Sequence, residues 1–304
     1  MDQKTEIFSQ LLRDLEVQLG SRDLTEMVLL SLVDSIKAFS GKGFNSFCKQ
    51  YEDFTLMIEN TEPKFGIFQY YFGILKNEIT KNCSISGNDD WRDYAIEVVD
   101  KILASTRRQK KKILENAEKI DVEGKTILIH DHSHTVHDIL AHLKAKKKKF
   151  KVIIAEQDFE KTHDNIERLH GEGIPFMVVP AYMLSHMYEN IDMAFYGALT
   201  LKDTMHFVMD PGAQSIVAEF YLEKIPVYMF LGTDKFSLWK SKSRGEIFVH
   251  KQTKEHKTKP ISYERIKYSH DRVPAKYFDK TITNEGIFTP EELKKLFDEK
   301  MKSV

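Results

Sequence analysis

The sequence predicts an α + α/β protein, with an N-terminal helical domain followed by a parallel sheet that carries helices on both faces. From Thr5 to about Glu118, apolar residues recur at helical spacing. After Gly124, short apolar segments rich in β-branched and aromatic residues alternate with helical segments. Such alternation is typical of a parallel sheet that is buried on both faces. We therefore divide the chain into domains 1–120 and 121–304.

The helical half is predicted to contain roughly five helices. Its first apolar stripes are Phe8, Leu11, Leu12 and Leu15, then Val28, Leu29, Leu32, Val33 and Ile36. Further helical segments are Phe65–Ile79 and Trp91–Ala117, which are separated by the turn-rich sequence NCSISGND at 82–89.

The second half contains five predicted strands and four predicted helices that separate most of them. The strands are TILIH (126–130), FKVIIAE (150–156), PFMVVP (175–180), MAFYG (193–197) and PVYMFLG (226–232). The helices are Val136–Lys146, Glu160–His170, Tyr182–Glu189 and Gln214–Glu223. In such sheets the functional crevice lies beyond the carboxyl ends of the strands, so residues that directly follow a strand are candidates for a site.

The C-terminal part is predicted to contain one surface excursion and one capped helix. Residues between Trp239 and His270 are hydrophilic, and we expect a mobile surface excursion there. In FTPEELKKLF, Thr289 is the predicted N-cap, Pro290 stands at the first helical position, and Glu292 completes a capping box.

Composition narrows the class of protein. The chain has 304 residues, of which 41% are hydrophobic, enough for a substantial core. Its formal charge of -1 provides no global positive field, so neither direct nucleic-acid binding nor membrane binding is expected. A local basic face stays open, although composition does not argue for one. Two distant cysteines argue against a disulfide framework. With a charged N-terminus and no apolar run of about 20 residues, we expect a soluble cytoplasmic protein.

Five of the twelve histidines lie in ILIHDHSHTVHDILAH, at 127–142. They are His130, His132, His134, His137 and His142. A metal site is disfavoured because the histidines straddle a strand-to-helix turn, and neither an H-E-x-x-H pattern nor a Cys/His quartet is present. We therefore predict no metal, and no cofactor is expected. Because both cysteines lie in the helical half and Ser133 with His134 is too local for a triad, no catalytic residue is predicted either.

Two other interpretations of this stretch stay open. In the first, Ser133 caps the following helix, and an anion binds the free amides of the first turn near His134, although Asp131 opposes this. In the second, Asp131 caps the helix and the histidines have structural roles. Glu156, after its strand, and the turn at Gly212 in MDPGAQ (209–214) also face the predicted crevice, as a possible hydroxyl ligand and anion ligand.

The second half resembles a known family in several segments. They are TILIHDHSHTVHDIL, VIIAEQ (152–157), IPFMVVPAYMLSHMYENIDMAFYGA (174–198), PVYMFLGTDKF (226–236) and VPAKYFDKTITNEGIFTPEEL (273–293). These segments are similar to the alpha/beta/delta regulatory-subunit family of eukaryotic translation initiation factor 2B. That family is related to ribose-1,5-bisphosphate and methylthioribose-1-phosphate isomerases. Chain length and the simple N-terminus look most like the alpha subunit.

The resemblance implies a Rossmann-like second half with a ligand crevice, but the isomerase groups are replaced. The implied crevice residues are His130, Asp131, Ser133, His134, Glu156, Gln157 and Gly212. Asp131 stands where the isomerases have a cysteine, and Leu199 stands where they have an aspartate. The family's N-K-x-G-T loop is Met209-Asp210-Pro211-Gly212-Ala213 here and keeps only the glycine. Acid–base catalysis cannot run on leucine or alanine.

The resemblance therefore implies a non-catalytic, alpha-type subunit of the guanine-nucleotide exchange factor for translation initiation factor two. Its implied partners are a second copy, the beta and delta subunits, the phosphorylated alpha subunit of initiation factor two, and a weakly held sugar phosphate. The alternatives are a sugar-phosphate isomerase and a sensor of sugar phosphates or nucleotides.

Overall fold

Helices form the N-terminal part of the chain. They are α1 (Gln3–Ala38), α2 (Phe44–Glu59), α3 (Gly66–Asn82) and α4 (Trp91–Ala117). Gly20, at φ 73°, divides α1 into two helical stretches, which accounts for the predicted number of helices. Apolar residues at helical spacing form the core, including Leu24, Leu29, Ile36, Phe47, Tyr51, Phe68, Phe72, Leu75 and Val99. Among the described residues, no helix is both long enough and apolar enough to span a membrane.

The computed structural model describes residues 3–41, 44–60, 66–82, 91–156, 159–238, 249–255, 260–268 and 270–302. One compact unit consists of Met1–Glu115 together with Gly232–Phe236, and the other of Asn116–Leu231 with Ser237–Val304. The division into domains 1–120 and 121–304 stays a prediction.

The second unit is built on a seven-stranded sheet with the order β12-β11-β7-β4-β1-β2-β3. Its strands are β1 (Lys125–Ile129), β2 (Phe150–Glu156), β3 (Phe176–Pro180), β4 (Met193–Gly197), β7 (Val227–Phe230), β11 (Lys280–Ile282) and β12 (Ile287–Phe288). All neighbours pair in parallel except β11 with β12. The helices of this unit are α5 (His134–Ala145), α6 (Phe159–Gly171), α7 (Ala213–Glu223) and α8 (Pro290–Lys302). The α + α/β prediction is confirmed.

Two smaller sheets were not predicted. Strands β5 (Thr200–Leu201), β6 (His206–Met209) and β10 (Asp271–Pro274) form an antiparallel sheet in the order β10-β6-β5. Strands β8 (Val249–Glu255) and β9 (Ser262–Tyr268) form an antiparallel hairpin within the stretch predicted to be a mobile excursion. The described side chains of β8 and β9 are exposed. The sequences of these two strands therefore lack the alternation of apolar and polar residues that predicts a half-buried strand.

One predicted helix is wrong, and one predicted cap is confirmed. The segment Tyr182–Glu189 forms two 3₁₀ turns, Ala181–His186 and Tyr188–Asn190. At α8, the Thr289 N–H donates to Glu292 Oε2 at 2.7 Å, and the Glu292 N–H donates to Thr289 Oγ1 at 3.3 Å. This reciprocal pair is the capping box expected from the sequence.

Candidate functional site

The site is built around Asp131, which follows the central strand β1. Asp131 is 5% exposed, and its Oδ2 accepts a hydrogen bond of 2.6 Å from the Gly197 N–H at the end of β4. Because β1 and β4 are parallel neighbours, this contact joins the carboxyl ends of two adjacent strands. The carboxylate is therefore engaged with the sheet and does not cap α5.

Ser133 caps α5, as the first interpretation predicted. Its backbone is extended (φ −95°, ψ 109°), and its Oγ accepts from the Val136 N–H at 3.3 Å. A Cβ added to Gly197 would lie 2.0 Å from Ser133 Oγ. The absence of a side chain at Gly197 thus gives room to both the cap and the Asp131 contact.

Burial controls the ionisation of the groups around Asp131. Burial, and then the negative charge of Asp210, raise the pKa of Asp131 well above its usual range. The Tyr196 hydroxyl is fully buried, and burial followed by Asp131 raises its pKa as well. Within the part of the chain that the structure describes, Asp131 Oδ1 and the Tyr196 hydroxyl have no hydrogen-bond partner. Buried polar atoms of this kind normally meet a water or a ligand.

The five clustered histidines have separate partners. His130 Nε2 lies 3.4 Å from Pro211 O, His132 Nε2 2.5 Å from Asp164 Oδ2, His134 Nε2 3.5 Å from Arg168 Nη2, His137 Nε2 2.6 Å from Asn165 Oδ1, and His142 Nε2 2.6 Å from Glu118 Oε1. No group of three or more His, Cys, Asp or Glu side chains is arranged to hold a metal ion in the described ranges. The histidines thus join α5 to α6 and to neighbouring segments.

The imidazoles of His130, His134 and His137 provide little positive charge at neutral pH. Burial, and then Arg168, lower the pKa of His134 to about 3. Burial lowers the pKa of His137 to about 4, and it also lowers the pKa of His130. A neutral imidazole can donate one hydrogen bond to an anion but adds no favourable net charge.

The N-terminus of α7, the second predicted anion position, binds a carboxylate of the protein itself. Gly212 has φ 94°, and the backbone N–H groups of Gly212 and Gln214 both donate to Asp271 Oδ2, at 2.9 and 3.0 Å. Asp271 therefore stands where an anion would gain most from the amides and the helix dipole. Sequence reasoning missed Asp271 because it lies on β10, far along the chain.

Asp210 is the second acidic group of this loop. Its Oδ2 lies 2.7 Å from Lys161 Nζ on α6 and accepts from the His132 N–H at 3.3 Å. Burial raises the pKa of Asp210, but Lys161 and the hydrogen bonds more than offset this, so its pKa lies below the usual range. Lys161 is a further group that the sequence analysis missed, since a lysine on an amphipathic helix has no local signature.

Two of the singled-out residues, Glu156 and Leu199, are not part of this network. Glu156 lies at the end of β2 and is exposed. Gln157 lies outside the described residues. Leu199 is partly buried, and its backbone N–H donates to Val208 O at 2.9 Å. The structure therefore brings together His130, Asp131, Ser133, His134 and the Gly212 loop.

Comparison with known proteins decides the family. The model of the Initiation factor 2 subunit family matches residues 17–290, which is most of the chain. The chain belongs to this family. The resemblance inferred from the strand-end motifs is thereby confirmed, and the protein is a member of a translation initiation factor subunit family.

Relatives within the Initiation factor 2 subunit family are distant. The alpha subunit of eIF2B from Dictyostelium discoideum is 24% identical over 69% of this chain and 70% of its own length. The delta subunit from the same organism is 25% identical over 53% of this chain, but only 26% of its own length is matched. A putative eIF-2B subunit 2-like protein from Pyrococcus horikoshii is 30% identical over 38% of this chain and 42% of its own length.

Solved structures of the family share the fold. A Pyrococcus horikoshii translation initiation factor eIF-2B superposes with a TM-score of 0.73 at 17% identity, covering 95% of this chain and 98% of that chain. A chain of the tetrameric eIF2B-beta2-delta2 complex from C. thermophilum gives a TM-score of 0.68 at 18% identity, covering 98% and 96%. At such identities the likeness establishes the architecture only.

Proposed function

We infer that this protein is a non-catalytic, alpha-type regulatory subunit of the guanine-nucleotide exchange factor for translation initiation factor two. Family membership supports the assignment to this assembly, and the match to an alpha subunit over 70% of that relative's length supports the alpha type. The proposal implies a cytoplasmic location. It also implies a homodimer that binds the beta and delta subunits.

The observation that carries the non-catalytic assignment is that the protein's own groups occupy the crevice. Asp131 accepts the Gly197 N–H, and Asp271 accepts the amides at the start of α7. Leu199 has no ionisable group to pair with Asp131 across the crevice. An isomerase needs one group to remove a proton and another to return it. Because the Asp131 carboxylate is already hydrogen-bonded and position 199 is a leucine, regulation through contacts with other proteins is better supported than catalysis.

Affinity capture from the native organism tests the assembly. We expect the tagged protein to recover beta and delta exchange-factor subunits, identified by mass spectrometry, and the purified protein to sediment as a dimer. A capture that recovers no exchange-factor subunit, from a protein that still folds, would contradict the proposal.

The proposed sensing role needs its own experiment. The reconstituted complex is mixed with the alpha subunit of initiation factor two in phosphorylated and unphosphorylated forms, and nucleotide exchange is followed with and without this subunit. We expect the phosphorylated form to inhibit exchange only when this subunit is present. Equal inhibition in its absence would assign the sensing to another subunit.

A second candidate, a sensor or isomerase for sugar phosphates, is favoured by one observation. Asp131 Oδ1 and the Tyr196 hydroxyl are buried together without partners among the residues that the structure describes. They could bind a sugar hydroxyl. Calorimetry with ribose-1,5-bisphosphate, methylthioribose-1-phosphate and nucleoside monophosphates separates the candidates, since flat traces exclude a sensor. Turnover that is abolished by Asp131→Ala would establish the enzyme instead.

A further inference from the structure

The stretch of sequence that contains the β8–β9 hairpin is far more basic than the rest of the protein. Residues 239–270 contain nine Lys and Arg residues against three Glu residues, although the whole chain has a formal charge of -1. The two strands form a separate two-stranded sheet. Every side chain of β9 is exposed, and so are Thr253 and Lys254 on β8. The described side chains of the hairpin therefore contribute little to a core, and the basic composition of this stretch requires another explanation.

The register of the hairpin sorts its described side chains onto two different faces. Successive residues of a strand point to opposite faces, and directly paired residues share a face. Lys254 pairs with Tyr263, so these two lie on one face with Arg265 and Lys267. Thr253 pairs with Glu264, so these two lie on the opposite face. Of the other described side chains, those of Ser262, Ile266 and Tyr268 also lie on that opposite face.

The first of these faces, which we call the basic face, is defined by Lys254, Tyr263, Arg265 and Lys267. It combines three positive charges with an aromatic ring that is 50% exposed. The acidic Glu264 lies on the other side of the ribbon. Along β9, Tyr263, Arg265 and Lys267 follow each other at about 7 Å, the repeat of alternate residues in a strand.

A linear row of cations beside an exposed aromatic ring matches the chemistry of a single-stranded nucleic acid. Cations bind successive phosphates, and an aromatic ring provides a surface on which an unpaired base stacks. An acidic peptide would use the charges but has no general need for the ring. We propose that the basic face of the β8–β9 hairpin binds single-stranded nucleic acid. This revises the expectation, drawn from net charge alone, of no direct contact with nucleic acid.

The test uses the full-length protein and fluorescence anisotropy of a labelled single strand of about 12 nucleotides, as RNA and as DNA. With three phosphate contacts, the logarithm of the affinity should fall with the logarithm of salt concentration with a slope of about −2. Arg265→Gln with Lys267→Gln should weaken binding about tenfold or more at low salt and reduce the size of that slope by about 1.4.

A control on the opposite face matches the change in charge. Thr253→Glu with Ser262→Glu lowers the net charge by the same amount as the double glutamine variant but leaves the basic face intact. We expect it to reduce affinity much less. Tyr263→Ser should reduce affinity about fivefold or more through lost stacking, whereas Tyr268→Ser should have little effect. Circular dichroism and thermal unfolding check that each variant is folded.

The possible results divide clearly. Tighter binding of RNA than of DNA would identify RNA as the ligand through its 2′-hydroxyls, and equal binding would indicate a general single-strand surface. Absence of binding to both strands at about 50 mM salt would overturn the proposal. So would equal losses in the two double variants, or stronger binding to duplex DNA, to polyglutamate or to phosphatidylserine vesicles.

Discussion

Asp131 combines a necessary hydrogen bond with a poorly tolerated charge. Its Oδ2 accepts the Gly197 N–H, while burial and Asp210 raise its pKa well above the usual value. A carboxyl group with a raised folded-state pKa stabilises the protein most below its unfolded pKa of about 3.9, and this contribution is lost as the pH rises through the folded value. The Asp131 oxygen that accepts the Gly197 N–H thus stabilises the folded protein at every pH, whereas the negative charge of the ionised carboxylate destabilises it.

We therefore expect opposite results from two substitutions at this residue. Asp131→Ala should lower the free energy of unfolding by about 1–3 kcal/mol because the buried Gly197 N–H loses its acceptor. Asp131→Asn keeps an acceptor without charge, so it should match or exceed the wild type at neutral pH, and its advantage should grow as the pH rises. Urea unfolding between about pH 5 and pH 8 measures both. An asparagine variant as unstable as the alanine variant would show that the charge itself is required.

The buried histidines predict the pH dependence of stability on the acid side. The pKa of His134 is lowered to about 3 and that of His137 to about 4, mainly by burial. Below the unfolded pKa of about 6.5, these imidazoles bind protons in the unfolded chain but stay neutral in the folded protein. The free energy of unfolding therefore falls as the pH falls. We expect each histidine to contribute a slope approaching 1.4 kcal/mol per pH unit.

Replacing both residues tests this assignment. His134→Asn with His137→Asn should flatten the dependence of the unfolding free energy between about pH 6.5 and pH 5, even if the variant is less stable overall. His163→Asn is the control, because His163 is exposed on α6. A wild-type slope that the double variant retains in full would assign the acid sensitivity to other groups.

At the scale of elements, the start of α5 and the end of β4 share one small space. A Cβ at Gly197 would lie 2.0 Å from Ser133 Oγ and 2.8 Å from Ser133 Cβ. Gly197→Ala should therefore cost about 1–3 kcal/mol through overpacking. Ser133→Gly alone should cost only a few tenths, roughly, because glycine is a tolerated N-cap.

The double variant makes this prediction specific. Ser133→Gly with Gly197→Ala should recover most of the lost stability because the clashing side chain is gone, giving a strongly non-additive cycle in denaturant unfolding. Additive losses would mean that Gly197 is needed for another reason, such as the geometry of its N–H toward Asp131.

A buried ion pair organises the helical unit. Arg22 Nη2 donates to Asp234 Oδ1 at 2.9 Å, and Arg22 Nη1 lies 2.8 Å from Asp234 Oδ2. The Tyr71 hydroxyl donates to Oδ2 at 2.8 Å and accepts from Gln109 Nε2 at 3.1 Å. Asp234 lies in the segment Gly232–Phe236, so this network connects that segment to α1, α3 and α4 within one unit.

Removing Asp234 from this buried network should therefore lower the free energy of unfolding strongly. Asp234→Ala leaves Arg22 buried without its counter-charge, and we expect a loss of about 3–5 kcal/mol in the free energy of unfolding. Asp298→Ala, which breaks the exposed pair with Lys294, should cost less than about 0.5 kcal/mol. A small effect at Asp234 would mean that Arg22 finds another partner or water.

At the scale of the whole molecule, the chain divides into two compact units, and buried apolar residues are found in each of them. Hydrogen exchange provides a whole-chain readout of the Asp234→Ala variant. We expect exchange to increase first in α1, α3 and α4, while β1 and β2 stay protected. Uniform acceleration along the chain would show that the units unfold together.

The parallel strands and their helices were predictable because their apolar runs are buried on both faces. FKVIIAE and MAFYG form strands over the residues predicted, and Ser133 caps α5 as expected. The strands β5, β6 and β10 are short and only partly apolar, and none of the described side chains of the hairpin is buried. Local periodicity carries little information about strands whose formation depends on a distant partner.

By itself, the sequence determined the α + α/β architecture, the strand-to-helix turn at His130–His134, and the family. These three features depend on the spacing of apolar, turn and motif residues along the chain, which can be read from the sequence alone. Only the tertiary structure decided which groups occupy the crevice: Gly197 binds Asp131, Asp271 binds the start of α7, and each histidine has a separate partner. Partners tens of residues away are brought together by sheet order and register, which no local pattern encodes.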